Sequence, residues 1–97
     1  MENIERIEYM EHILNEGQAA IFALREALAA YSELAPRLSE LFEYYGSALW
    51  FSDLADDEAG LLPEDLCRGV LSEDAVYILI DENQQLLEEL EGFSQTI

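Results

Sequence analysis

The regular spacing of apolar residues over the first third of the chain constrains its fold most. From Ile7 onward these residues are separated alternately by three and four positions, which keeps their side chains on one stripe of an α-helix. The stripe consists of Ile7, Met10, Leu14, Gly17, Ile21, Leu24, Leu28 and Tyr31. It predicts a helix from about residue 2 to Leu34, which would be roughly 50 Å long.

Proline and glycine residues divide the middle of the chain into shorter helices. Pro36 is expected to end the first helix, because proline lacks a backbone donor and restricts the residue before it. The same proline suits the first position of a second helix, which is expected to end at Gly46. Ser47 is a suitable cap for a third helix, and we expect that helix to fray by Gly60.

The C-terminal third predicts a connector and a last helix. Pro63, with two acidic residues behind it, favours a single helical turn. Ser72 is expected to cap a last helix that spans about residues 73–91 and ends at Gly92. Residues 76–80 also have the composition of a buried strand, but no second run of this quality is available to pair with them, so a helix is favoured.

These elements predict an all-α fold: a small helical bundle with one long N-terminal helix, two short middle helices, a one-turn connector and a C-terminal helix. A chain of 97 residues makes at most one domain, so residues 1–97 are expected to form a single acidic helical domain. Packing the first and last helices side by side buries both apolar faces. Because the first helix is the longer one, its stripe from Ile4 to Leu14 would stay uncovered, and we expect a homo-oligomer to form through this N-terminal helix.

The charge of the chain excludes several classes of partner. Asp and Glu number 22 against four basic residues, which gives a formal net charge of −18, and the chain contains no lysine. Nucleic acids and anionic membranes are therefore unsuitable partners, whereas a basic protein suits the charge. A mimic of nucleic-acid charge would need carboxylates at phosphate-like spacing along one face, and the sequence does not show that arrangement.

The sequence also predicts a soluble, cytoplasmic protein. The longest apolar run, residues 75–80, is far shorter than the roughly 20 residues needed to cross a bilayer. The N-terminus lacks the basic start and the uninterrupted apolar stretch of a secretory signal. A single cysteine, Cys67, cannot form an internal disulfide, which fits a reducing compartment.

Residues that often carry chemistry are isolated in this sequence. Glu8 and His12 share a helix face and could hold a metal ion or form an acid–base pair, but di-metal bundles need a Glu-x-x-His motif on each of two helices, and this chain has one histidine. We therefore expect a surface histidine beside a carboxylate, and a small packed side chain at Cys67. Glycine-rich phosphate loops and serine-hydrolase turns are absent. No catalytic, cofactor-binding or metal-binding residues are predicted.

An acidic cluster provides the alternative functional hypothesis. Its members are Asp53, Asp56, Asp57, Glu58, Glu64 and Asp65. Carboxylates are ligands that calcium and magnesium prefer, but their order does not match that of a helix–loop–helix calcium site. A face that is solvated or paired with Arg68 is favoured, and a divalent-cation-binding or metal-dependent module that uses the Asp53–Asp65 cluster remains the alternative.

Aromatic residues crowd around Gly46. Trp50 is expected in the core, as is Phe42. Tyr44 and Tyr45 project about 100° apart on a helix, so we expect only one of them to be fully covered and the other to contribute to a contact surface.

The central and C-terminal segments resemble a known family. The matching residues are Tyr44-Tyr45-Gly46-Ser47, Trp50, Asp53, Gly60, the run Leu62-Pro63-Glu64-Asp65-Leu66, the run Arg68-Gly69-Val70-Leu71-Ser72-Glu73-Asp74, and Tyr77. They are similar to the small bacterial proteins catalogued as domain of unknown function 4298, and the resemblance covers nearly the whole chain. It implies a cytoplasmic, all-helical bacterial protein without an assigned activity, and it brings no catalytic residues. Cys67 stands where the family would be expected to have a polar residue.

Two interpretations of this segment remain open. In the structural one, Pro63 starts a turn, Gly69 ends it, and Arg68 ties it to Asp53 or to the acidic neighbours of Asp53. In the functional one, the segment helps to form a groove for a partner peptide or a small molecule. The candidate interaction surface comprises Tyr44, Tyr45, Trp50, Asp53, Asp65 and Arg68. The leading hypothesis is a non-enzymatic interaction or regulatory protein that binds another protein, a basic one by its charge.

Overall fold

The structure is a computed structural model that describes residues 2–96, except for the side chain of residue 96. It contains the helices α1 (Glu2–Tyr44), α2 (Ala48–Glu58) and α3 (Ala75–Thr96), with a 3-10 turn at Gly69–Leu71. No strand occurs among the described residues, and residues 76–80 are helical. The predicted all-α class is confirmed. None of the helices in residues 2–96 has the length and apolar character that crossing a membrane would require.

The predicted end of the first helix is wrong, because α1 continues to Tyr44 with Pro36 inside it. A proline inside a helix costs about 3 kcal/mol, because it removes one backbone hydrogen bond and crowds the preceding turn. The residues that follow it include the half-buried Leu38, Leu41 and Phe42, whose spacing favours helix and offsets this cost. The first two predicted helices are therefore one continuous element.

The chain divides into two compact units, one that ends at Pro36 and one that begins at Arg37. Within the first unit, residues 2–36 form part of a single helix, which cannot bury its own apolar stripe. The exposed fraction is 61% for Ile7, 52% for Leu14 and 49% for Leu24. The expected packing of this stripe on the last helix stays a prediction.

The second unit is built around α2. Ser47 caps this helix as predicted, since its side chain accepts a hydrogen bond from the backbone N–H of Trp50 at 3.2 Å. Gly46 and Gly60 lie just outside its two ends with φ angles of 78° and 73°, a conformation that glycine adopts without the strain of a side chain. These two glycines confirm the predicted boundaries of the element.

The connector and the last helix differ in position from the prediction. Residues 63–68 contain a turn that is closed by a hydrogen bond from the N–H of Leu66 to the carbonyl of Pro63. The predicted helical turn is not here but further along the chain, at Gly69–Leu71. Ser72 accepts a hydrogen bond from the N–H of Ala75, as expected of a cap, although α3 begins only at Ala75. The predicted end of the last helix at Gly92 is wrong, because α3 continues to Thr96. Gly92 does not have the positive φ of a glycine that ends a helix.

Candidate functional site

Trp50 is the centre of the candidate site and one of its few buried side chains. Only 5% of it is exposed, and among the described residues Leu71 and Val76 are the other two that are buried. Its indole Nε1–H donates to the carbonyl of Val70 at 2.9 Å. A buried indole N–H needs an acceptor. Here the acceptor belongs to the 3-10 turn, so the bond connects α2 to that turn. The core position predicted for Trp50 is confirmed, whereas Phe42 is only half-buried.

Two aromatic rings contact Trp50 edge to face. The ring centroids lie 5.1 Å away for Tyr45 and 5.0 Å away for Phe51, within the range of favourable aromatic pairs. The hydroxyl of Tyr45 donates to the carbonyl of Glu73 at 2.5 Å. Tyr45 therefore links the C-terminal end of α1 to the residues that precede α3.

Tyr44 makes a different polar contact. Its hydroxyl donates to Asp53 Oδ2 at 2.5 Å, which ties the end of α1 to the middle of α2. This hydrogen bond, with smaller effects of burial and of the negative charge on Asp53, raises the pKa of Tyr44 above its ordinary value. Both tyrosines are half-buried, so the expectation that one of them would be fully covered is wrong. Each hydroxyl reaches its own acceptor within the protein from this half-buried position.

Arg68 ties the connector to α2, as the structural interpretation predicts. Its Nη2 donates to the carbonyl of Pro63 at 2.5 Å, and its Nε lies 3.0 Å from Asp57 Oδ1. The second contact is an ion pair without hydrogen-bond alignment, because the Nε–H does not point at the oxygen. Asp57 is one of the acidic neighbours of Asp53 in the sequence. Asp53 itself accepts the hydrogen bond of Tyr44.

Internal contacts join four of the six predicted residues in two pairs. The rings of Trp50 and Tyr45 form an aromatic pair, and Tyr44 and Asp53 form a polar pair. Arg68 instead contacts Asp57 and the carbonyl of Pro63. The sixth residue, Asp65, is exposed. Whether these residues form a surface that a partner contacts stays a prediction.

Sequence reasoning did not identify the backbone carbonyls that accept the hydrogen bonds of this site. They belong to Val70, Glu73 and Pro63, and carbonyls carry no side-chain signal. Asp57 was predicted only as one of several carboxylates that could pair with Arg68. A buried tryptophan demands an acceptor, but the sequence does not say which carbonyl supplies it.

The acidic cluster does not assemble into a cation site. Asp57 pairs with Arg68, and Asp53 accepts the hydrogen bond of Tyr44. In the part of the chain that the structure describes, no three His, Cys, Asp or Glu side chains come together in a way that could hold a metal ion. The geometry thus gives the cation-binding alternative no support.

The two isolated reactive side chains also have simple surroundings. His12 Nε2 lies 2.8 Å from Glu16 Oε1 one turn further along α1, so its carboxylate neighbour is Glu16 and not Glu8. The expected surface histidine is confirmed, since both side chains are more than half exposed. Cys67 is exposed, so the expectation of a packed thiol is wrong; the residue lies in the irregular connector and not on the apolar face of a helix.

Comparison with known proteins adds a family and no activity. No curated protein and no solved structure matches the chain. A family model described as "Domain of unknown function (DUF4298)" matches residues 7–91, which includes the candidate site and most of α1 and α3. The chain therefore belongs to the DUF4298 family.

Proposed function

We propose that this protein is a non-enzymatic, cytoplasmic interaction module that binds a basic protein partner. The observation that carries the proposal is the charge of α3, which contains five acidic residues and no basic residue. The acidic residues are Asp81, Glu82, Glu88, Glu89 and Glu91, and all five are exposed. Such a surface attracts a positively charged partner and speeds the encounter with it.

The acidic residues of α3 share one side of the helix. At 100° per residue they fall within about half of its circumference. Tyr77 and Ile78 lie at one end of this acidic side and are 63% and 48% exposed. Exposed apolar side chains beside charges are typical of protein interfaces, where they supply affinity while the charges supply specificity.

The polar groups of the candidate site around Trp50 support a structural role for that site over a catalytic one. The polar groups of Tyr44, Asp53 and Arg68 are engaged with partners inside the protein. A catalytic acid, base or nucleophile has to face a substrate in a cleft. These groups instead hold α2 and the connector in place, so their chemistry is that of a scaffold.

Affinity capture with the full chain as bait tests this proposal. The wild-type chain is compared, in extract of the source cells at low salt, with a variant in which the five acidic residues of α3 are changed to Asn or Gln. A control variant carries Glu→Gln changes at Glu2, Glu5, Glu8, Glu26 and Glu33 of α1, which alter the net charge by the same amount.

The wild-type and control chains should capture the same basic protein, and the α3 variant should lose it. Failure of the wild-type chain to capture any protein would contradict the proposal. Equal loss by both variants would show that only overall charge matters, which contradicts a surface on α3.

A further inference from the structure

Within residues 2–36 no second element is present to cover the apolar face of α1 between residues 4 and 34. Ile7 and Ile21 are each 61% exposed, Met10 is 55% exposed, and Leu28 is 42% exposed. One helix cannot cover this face by itself, and regular apolar stripes of this kind are stable when another helix packs on them.

The spacing of the face assigns its residues to a seven-residue repeat with positions a to g. Residues 7, 14, 21 and 28 occupy position a, and residues 10, 17, 24 and 31 occupy position d. Helices with apolar residues at a and d pair through this seam. We propose that two copies of this chain pair through α1 in an antiparallel orientation.

The sizes of the side chains favour an antiparallel pair over a parallel one. In antiparallel helices an a residue faces a d residue of the other helix. Pairing Leu14 with Leu24 of the second copy also pairs Met10 with Leu28, and it places Gly17 opposite Ile21. The large isoleucine then fills the space that the glycine leaves. A parallel pair would put Gly17 opposite Gly17 and leave a gap at that layer, which is costly in a packed core.

The charges at the edge of the seam select the register that pairs Leu14 with Leu24. Glu11 and Arg25 both occupy position e, and e positions face each other in an antiparallel pair. The register that pairs Leu14 with Leu24 brings Glu11 of each copy beside Arg25 of the other. Arg25 is the sole Lys or Arg in residues 7–36. In this arrangement each of the two Arg25 side chains of the dimer lies beside a Glu11 of the other copy.

The surface available is large enough for a stable dimer. The face presents nine aliphatic side chains that are 40–61% exposed: Ile4, Ile7, Met10, Ile13, Leu14, Ile21, Leu24, Leu28 and Leu34. At about 50 Å² of apolar surface each, two copies bury roughly 900 Å² of apolar area. An interface that is about two-thirds apolar then buries roughly 1,400 Å² in total, which is the size of a specific interface.

Disulfide cross-linking tests both the pairing and its register. Two proteins are prepared in a Cys67→Ser background, one with Leu14→Cys and the other with Leu24→Cys. After mild oxidation neither protein alone should form a cross-linked dimer, whereas their mixture should form a mixed disulfide. Cross-linking of either protein with itself would show parallel pairing and overturn the proposal. Absence of any cross-link, together with a wild-type mass of 11.0 kDa by sedimentation equilibrium, would overturn it as well.

Charge reversal provides a test that does not alter the apolar seam. Glu11→Arg should weaken the dimer roughly tenfold, because it places two arginines together at both ends of the seam. Glu26→Arg makes the same charge change at the outer position f and serves as the matched control. Adding Arg25→Glu to Glu11→Arg should restore the wild-type affinity. A parallel pair would bring Glu11 beside Arg6 instead, so failure of the double variant to recover would contradict the antiparallel register.

Failure of this pairing is distinguishable from failure of the proposed function. The cross-linking and charge-reversal variants change residues of α1 and Cys67, and they leave the acidic residues of α3 intact. A strictly monomeric chain that still captures its basic partner would overturn the dimer alone.

Discussion

At the scale of single residues, the second unit depends on polar contacts made by aromatic side chains. Trp50, Tyr44 and Tyr45 each donate a hydrogen bond to a group distant in sequence. With three buried apolar side chains among the described residues, each such contact is a large share of what holds this unit together. Changes at these positions should therefore have clear effects on stability.

Trp50→Phe should lower the free energy of unfolding by about 1–3 kcal/mol, because it leaves the carbonyl of Val70 without its donor. Urea unfolding of the full chain followed by circular dichroism measures the change. Leu49→Met is the control, since Leu49 is 70% exposed and its replacement should change stability by less than about 0.5 kcal/mol. Equal stability of Trp50→Phe and wild type would contradict the role of the indole.

The Tyr44–Asp53 contact predicts a dependence of stability on alkaline pH. The folded-state pKa of Tyr44 is raised, so in the folded protein the hydroxyl keeps its proton at pH values where it is ionised in the unfolded chain. Its stabilising contribution is therefore complete below pH of about 10 and is lost as pH rises through the raised pKa. Thermal unfolding across this range should show a smaller decline for Tyr44→Phe than for wild type. Identical profiles would contradict the assignment.

At the scale of elements, Arg68 helps to hold the connector between α2 and α3. It contacts Asp57 and the carbonyl of Pro63, and these two contacts supplement the few backbone hydrogen bonds of residues 61–68. The sequence indicated this role for Arg68, and the structure adds the identity of the carboxylate.

Arg68→Ala should lower the melting temperature by about 4 °C, which corresponds to about 1 kcal/mol for a partly exposed ion pair and a hydrogen bond. Asp57→Asn should have a smaller effect, because the bond to Pro63 remains. Arg37→Ala is the control, since this arginine is exposed on α1. An unchanged melting temperature for Arg68→Ala would remove the connector contact from the causes of stability.

The course of α1 through Pro36 gives a second prediction at this scale. Pro36→Ala should raise the free energy of unfolding by up to about 3 kcal/mol and increase the helical signal, because it restores a backbone donor inside a helix. Pro63→Ala, in the connector, should leave the helical signal unchanged. Lower or equal helicity for Pro36→Ala would indicate that two separate helices meet at this proline.

At the scale of the whole molecule, local signals in the sequence were sufficient for the all-α class and for the limits of α2. Ser47, Gly46 and Gly60 marked the limits of α2 because caps and left-handed glycines act within a few residues. The helix ends predicted at Pro36 and Gly92 were wrong, because a helix tolerates one unfavourable residue when the residues around it favour helix.

The candidate site was less predictable than the fold. The types of its residues were recognisable, since a tryptophan, two tyrosines and an arginine stand close together in the sequence. Their partners were not, because the carbonyls of Val70 and Glu73 acquire their positions from the tertiary fold alone. The exposure of Cys67 also depends on the course of the connector, which no periodic pattern indicates.

The binding function proposed for this acidic chain is tested most directly by the affinity for the captured partner as a function of salt. Titration calorimetry of the full chain with that partner, from about 0.01 M to about 0.15 M ionic strength, measures this affinity. If the exposed carboxylates of α3 attract the partner, Kd should rise steadily with salt, by about tenfold or more over this range. A Kd that does not change with salt, or that falls, would contradict binding through the acidic surface.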